Sequence, residues 1–177
     1  TRGDQPADLL LTASGRFGTP RTITSDGKCL IVGDHNSKIT NGDGAFVWKS
    51  FPTKDEQPYD YHLTDPTHGA WLRGNFTSDG RLVLLGGTLH LWNGLPENEK
   101  ARPKLSITGF EFRGGDHVGS VEAGGRLYVC TGNLNKVVVY HSIPTKPAQK
   151  PDFAIGSPDL ETNTLETNFI ISNPMPA

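Results

Sequence analysis

Three histidines stand beside acidic residues in short polar stretches: Asp34-His35, Asp65 with His68, and Asp116-His117. Imidazole and carboxylate at close range bind transition metals or move protons near neutral pH. His35, His68 and His117 would be the metal ligands of such a site, and Asp34 and Asp116 the acids. Trp71 and Arg73 follow His68 closely. An exposed tryptophan is a common anchor for a partner. Arg21, Arg73 and Arg113 offer guanidinium groups to an anionic ligand or a partner's carboxylates, or else brace packed elements. The candidate ligand-binding set is therefore Asp34, His35, His68, Trp71, Arg73, Asp116 and His117. The plainer reading of the same stretches is solvated loop, because Asp, Asn, Gly and His are ordinary turn residues.

Other chemistries are poorly served. The stretch from Asp34 to Asp43 lacks the spacing of a calcium loop: Lys38 occupies a carboxylate position and no Glu closes the loop. There is no Cys-pair metal spacing, phosphate loop, nucleophile elbow or haem attachment site. Seventeen basic and 19 acidic residues give a formal net charge of -2, which makes no case for nucleic acid. No apolar run approaches the ~18 residues of a membrane span. Asn75-Phe76-Thr77 is a glycosylation sequon.

The elements that must position these residues are short strands. The chain has 177 residues, with 21 Gly and 13 Pro, a composition of many strands joined by turns. Thr24-Ser25-Asp26-Gly27 leads into Cys29-Leu30-Ile31-Val32. It returns as Thr77-Ser78-Asp79-Gly80 before Leu82-Val83-Leu84-Leu85, and more loosely as Gly124-Gly125 before Leu127-Tyr128-Val129-Cys130. Asp-Gly between strands predicts type I′ hairpins and makes Asp26 and Asp79 turn residues, not acids. A third strand then ends in Trp48 before Pro52, Trp92 before Pro96, and Tyr140 before Pro144. These three aromatics are equivalent by repeat and are expected to pack between units. A fourth strand follows each proline after a polar link.

Four strands per unit, at the ~40–50-residue period of a blade, predict an all-β fold: a β-propeller of four-stranded antiparallel blades. Blade one spans residues 19–64, blade two 70–109 and blade three 117–156. Residues 7–12 read as an orphan outer strand, and 168–174 as the start of a further blade. Aligning the hairpins places Cys29 with Leu127 and Cys130 with Val32. The two cysteines then hold non-equivalent sites as small buried apolar residues. The insertion after Asp34, at residues 34–44, falls on the variable loop face, where function usually sits.

Ile31-Val32-Gly33-Asp34-His35-Asn36 and Tyr128-Val129-Cys130-Thr131-Gly132-Asn133-Leu134-Asn135-Lys136-Val137 resemble the repeat strand of NHL-repeat propellers. Pro151-Asp152-Phe153-Ala154-Ile155-Gly156-Ser157-Pro158-Asp159 resembles the linker between such repeats in bacterial proteins. The resemblance implies a six-bladed ring, of which about half is present. Thr131 replaces the family's acid in blade three, and blade two lacks the motif. Functions in the family include protein and RNA binding, scaffolding, lyases and metal-dependent hydrolases. The hydrolase-type members hold a metal at the inner ends of first strands. Here those positions carry Thr19 and Arg21, Leu72 and Arg73, and His117 and Val118, a poor metal cage.

These readings converge on a binding or scaffold module that presents its variable loop face to a protein or small ligand, with no cofactor. The alternative is half of a propeller enzyme, a lyase or metal-dependent hydrolase, with a divalent metal in a His/Asp site at the channel mouth. The expected partners are a protein, the remaining half of the propeller, or a second copy of the chain. An extracellular or periplasmic setting is favoured.

Overall fold

The computed structural model describes residues 6–39, 42–67, 70–109, 119–131, 134–162 and 164. These residues form an all-β chain of three four-stranded antiparallel sheets. Sheet 1 is β1 (Thr19–Thr24), β2 (Leu30–His35), β3 (Gly44–Trp48) and β4 (Tyr61–Thr64). Sheet 2 is β5 (Arg73–Phe76), β6 (Leu82–Leu85), β7 (Leu89–Trp92) and β8 (Leu105–Ile107). Sheet 3 is β9 (Gly119–Ala123), β10 (Arg126–Thr131), β11 (Lys136–Tyr140) and β12 (Phe153–Ile155). Each is a plain meander, with strands in sequence order. None closes on itself. The first strands neighbour one another, since β5 touches both β1 and β9. Two side-chain bonds join them: Thr24 Oγ1 donates to the Gly74 carbonyl at 2.5 Å, and Ser120 Oγ to Asn75 Oδ1 at 2.9 Å. The sequon asparagine therefore lies within a strand with its amide oxygen engaged.

Strand register explains the core. Leu30, Leu82 and Leu127 pair with Trp48, Trp92 and Tyr140, which makes the three aromatics equivalent. Alternate residues point to opposite faces of a sheet. Ile31, Ala45, Val47, Tyr61 and Leu63 of sheet 1 pack on Leu82, Leu84 and Trp92 of sheet 2. One repeat later, Val83, Leu85, Leu89, Leu91 and Ile107 pack on Leu127, Val129, Val138 and Tyr140 of sheet 3. The two junctions thus use matching positions. The other face of sheet 1, with Leu30, Val32, Phe46 and Trp48, is met by Leu11, Ala13 and Phe17.

Three expectations need correction. Residues 7–12 are not a strand. They run irregularly beside the β3–β4 connection, where Leu10 donates to Asp55 Oδ1 at 2.7 Å and accepts from the Glu56 amide at 2.8 Å. Only the third hairpin is a two-residue turn with both central residues at positive φ: Gly124 at 58° and Gly125 at 76°, between paired Ala123 and Arg126. The Asp-Gly hairpins are wider, with Gly27 and Gly80 alone of each pair at positive φ. Their aspartates cap the loops instead. Asp26 Oδ1 accepts from the Cys29 amide at 3.0 Å and the Lys28 amide at 2.9 Å, and these bonds hold its carboxyl below the ordinary value. Asp26-Gly27 also lies one residue further from its strand than Asp79-Gly80, since Lys28 and Cys29 precede Leu30 where Arg81 alone precedes Leu82, and this shifts the cysteines. Cys130 aligns with Gly33, and Cys29 precedes β2. Cys29 is buried and Cys130 half-buried; burial, then the neighbouring Asp26, pushes the Cys29 thiol up to about 11, so it stays protonated and unreactive. The expected strand at 168–174 lies outside the described residues.

Candidate functional site

The site is built where second strands hand over to third strands. That connection covers residues 36–43 in sheet 1, 86–88 in sheet 2 and 132–135 in sheet 3. Asp34, at the end of β2, is fully enclosed. Its oxygens accept from the Gly18 amide at 3.0 and 3.2 Å and from Ser37 Oγ at 2.5 Å. The carboxylate ties the entry of β1 to the long connection and has no face left for a ligand. His35 is the half-exposed member of the candidate set. Asn36 Nδ2 lies 3.0 Å from His35 Nδ1, and His35 Nε2 lies 3.5 Å from Asp43 Oδ2. Asn36, with φ 58°, gives its backbone amide to Asp43 Oδ1 at 2.5 Å. Asp43 therefore fixes both ends of the insertion and orients His35.

Trp71 is not the exposed anchor expected from sequence. It is 6% exposed, with the Arg73 guanidinium 3.9 Å from its ring centroid and that of Arg21 at 5.5 Å. Arg73 is itself buried and donates to the Trp71 carbonyl at 3.1 Å. Arg21 reaches the ring from the exposed side of a bulge in β1, where the register skips between Pro20 and Thr22. Of the three arginines, Arg73 braces the junction and Arg21 remains open to solvent. Arg113, His68, Asp116 and His117 lie outside the described residues. Among the described residues no three His, Cys, Asp or Glu side chains are grouped to hold a metal.

A buried polar array went unnoticed in the sequence. Asp65 follows β4 and reaches into sheet 2. Its Oδ1 accepts from His90 Nε2 at 3.0 Å, from the Thr67 amide at 2.8 Å and from Thr67 Oγ1 at 2.7 Å; Oδ2 accepts from the Gly87 amide at 3.1 Å. His90 Nδ1 lies 2.9 Å from Ser106 Oγ on the neighbouring strand. Burial alone would raise the Asp65 carboxyl. The bonds from His90 and Thr67 more than reverse this and hold it well below the usual carboxylate range. The order acid–imidazole–hydroxyl matches a hydrolase relay, but the Asp65 and His90 side chains are wholly enclosed. The array fills a packing position: Phe46 and Val138 occupy the equivalent place in the other sheets. A Cβ on Gly86, the counterpart of Asp34, would meet Asp65 Oδ2 at 2.2 Å. Sheets 1 and 2 thus place a carboxylate in the same space from different chain positions.

Sheet 3 closes this end with a cation. Lys136 Nζ donates to the carbonyls of Leu160, of Thr162 at 2.8 Å and of Asp159 at 3.4 Å. The signal for the Asp65 array was legible only in register: His90 and Ser106 lie directly opposite one another where the neighbouring sheets place less polar pairs. No helix among the described residues is long and apolar enough to cross a membrane. No family model matches the chain, and no curated protein matches it significantly.

Proposed function

We propose that the three sheets are blades of a β-propeller segment of NHL type, and that the chain is a binding or scaffold module. What supports the ring geometry is the stacking of equivalent meanders with first strands side by side. The observation that carries the functional reading is the inequality of the connections at one end. The hairpin turns are short and capped by their own residues. The opposite end carries the 36–43 insertion, presenting His35 and Asp43 on a loop with its own internal bonds. A preordered polar loop on a rigid sheet is a recognition element for a protein or small ligand.

Replacing residues 39–43 with a single glycine, which keeps the Ser37 bond to the enclosed Asp34 and the Lys38 bond to Arg16, is expected to leave the fold intact by circular dichroism. Peptides selected from a displayed library against the intact chain should then bind this variant at least about tenfold more weakly, a loss of about 1.4 kcal/mol. Selected peptides indifferent to the shortening would remove the loop from the reading. Metal analysis addresses the enzyme alternative. Stoichiometric zinc, copper or calcium in the purified protein, lost on His117→Ala, would replace the binding module with a metal-dependent site.

A further inference from the structure

The exposed large apolar residues of the described chain are concentrated at its two ends. Leu9, Leu10 and Ile23 lie at the sheet 1 end; Val121, Phe153 and Ile155 lie at the sheet 3 end; Phe51 stands apart. Register gives the sheet 3 group a meaning. Tyr128, Val137, Val139, Phe153 and Ile155 occupy the positions of Ile31, Ala45, Val47, Tyr61 and Leu63 in sheet 1. In sheets 1 and 2 these positions are packed on the next sheet. In sheet 3 they are equally apolar; Val139 is buried and Tyr128 and Val137 half-buried, but Phe153 is 37% and Ile155 50% exposed, as is Val121, the partner of Tyr128, at 54%. Sheet 3 therefore offers a donor face of the kind that is twice consumed within the chain.

The matching receiver face is at the other end. Leu30, Val32, Phe46 and Trp48 correspond to Leu82, Leu84, His90 and Trp92 of sheet 2, which receive sheet 1. In sheet 1 the outer half of this face is covered by Leu11, Ala13 and Phe17. The inner half keeps a groove of about 380 Å³ lined by Leu11, Phe17, Pro20, Thr22, Ile23 and Val32, in which Val32 is buried and Ile23 is 74% exposed. Ile23 pairs with Val32, so both point into it.

We infer that the donor face of sheet 3 docks on the receiver face of sheet 1 in a second copy of this chain, and the reverse contact forms at the same time. The occupant follows from continuity: the junction is already made twice within the chain with the same residue classes, and the two open ends are its two halves. A two-fold axis relates the contacts, which closes the assembly and leaves no free end to polymerise. Tyr128 and Val121 of one copy enter the groove beside Ile23 of the other. The exposed Leu9 and Leu10 extend the contact beyond it. The inference rests on the propeller reading, since only sheets arranged around an axis can close in pairs.

Sedimentation equilibrium tests it on the full chain. The expected species has twice the 19.2 kDa chain mass. Phe153→Lys and Ile23→Lys change exposed side chains and are each expected to give a folded monomer with unaltered far-ultraviolet circular dichroism. A mixture of the two variants should recover dimer in part, because a pair of like variants has both contacts damaged while the mixed pair keeps one unaltered contact. A monomeric wild type overturns the inference. A dimer lost with Phe153→Lys but indifferent to Ile23→Lys also overturns it, since two sheet 3 faces would then meet each other. Peptide binding by the 36–43 loop, measured separately on the monomeric variants, distinguishes this failure from failure of the binding reading.

Discussion

Asp65→Ala is expected to destabilise the chain by about 3–5 kcal/mol, the range for breaking a buried pair by removing one partner. The loss has identifiable parts. His90 Nε2, the Gly87 amide and the amide and hydroxyl of Thr67 all donate to this carboxylate. Alanine would leave His90 Nε2 buried without its acceptor and the half-buried Gly87 amide unpaired, while the exposed Thr67 can turn to water or to Thr88 Oγ1. His90→Phe should cost less than Asp65→Ala. Phe46 fills the equivalent place in sheet 1, and Asp65 keeps its bonds from Thr67 and Gly87. The double variant Asp65→Ala with His90→Phe is expected to lose less than the sum of its singles, with coupling of about 1–3 kcal/mol. Urea unfolding of all four proteins measures this. Additive losses would mean that the two side chains act independently and that the array does not couple the sheets.

How far the array was legible in sequence depends on which residue is asked. The repeat was readable because it rests on local signals, such as Gly-Gly turns and prolines after each third strand. Its aromatics, Trp48, Trp92 and Tyr140, fell into equivalent places. The site was less readable because burial is a property of neighbours distant in the chain. Asp34 and Trp71 looked like loop residues available to a ligand. Both are enclosed, one by Gly18 and Ser37, the other with two guanidinium groups close to its ring. Trp71 stands outside the repeat, so nothing local announced that Arg21, on a separate sheet, would reach it through a bulge. The misaligned cysteines had a different cause. An Asp-Gly placed one residue further from its strand moves every later position by one, and in a strand that exchanges the two faces.

Acid should destabilise the protein well before the Asp65 carboxylate is touched, and His62 is the reason. His62 lies on β4 with its ring centroid 4.7 Å from that of Phe46, and neither ring nitrogen has a hydrogen-bond partner. Burial pushes its pKa from 6.5 down to about 4, against the opposing pull of Asp34 and Asp43. The folded state therefore keeps His62 neutral while the unfolded chain takes up a proton between pH 6.5 and 4. Stability must fall as pH drops through that window, and the fall ends once both states are protonated. At 1.36 kcal/mol per pKa unit, the shift corresponds to about 3 kcal/mol. Asp65 has the opposite sign. Its folded pKa is depressed, so its contribution is present above the ordinary value of 3.8 and is lost only as pH falls through the lower folded value. The two titrations are thus separated along the pH axis. His62→Phe keeps a ring against Phe46 and removes the proton uptake. Urea unfolding at pH 7 and pH 4.5 is expected to show a smaller stability loss in this variant than in the wild type, by about 2 kcal/mol. Equal losses in the two proteins would mean that His62 does not carry the acid sensitivity.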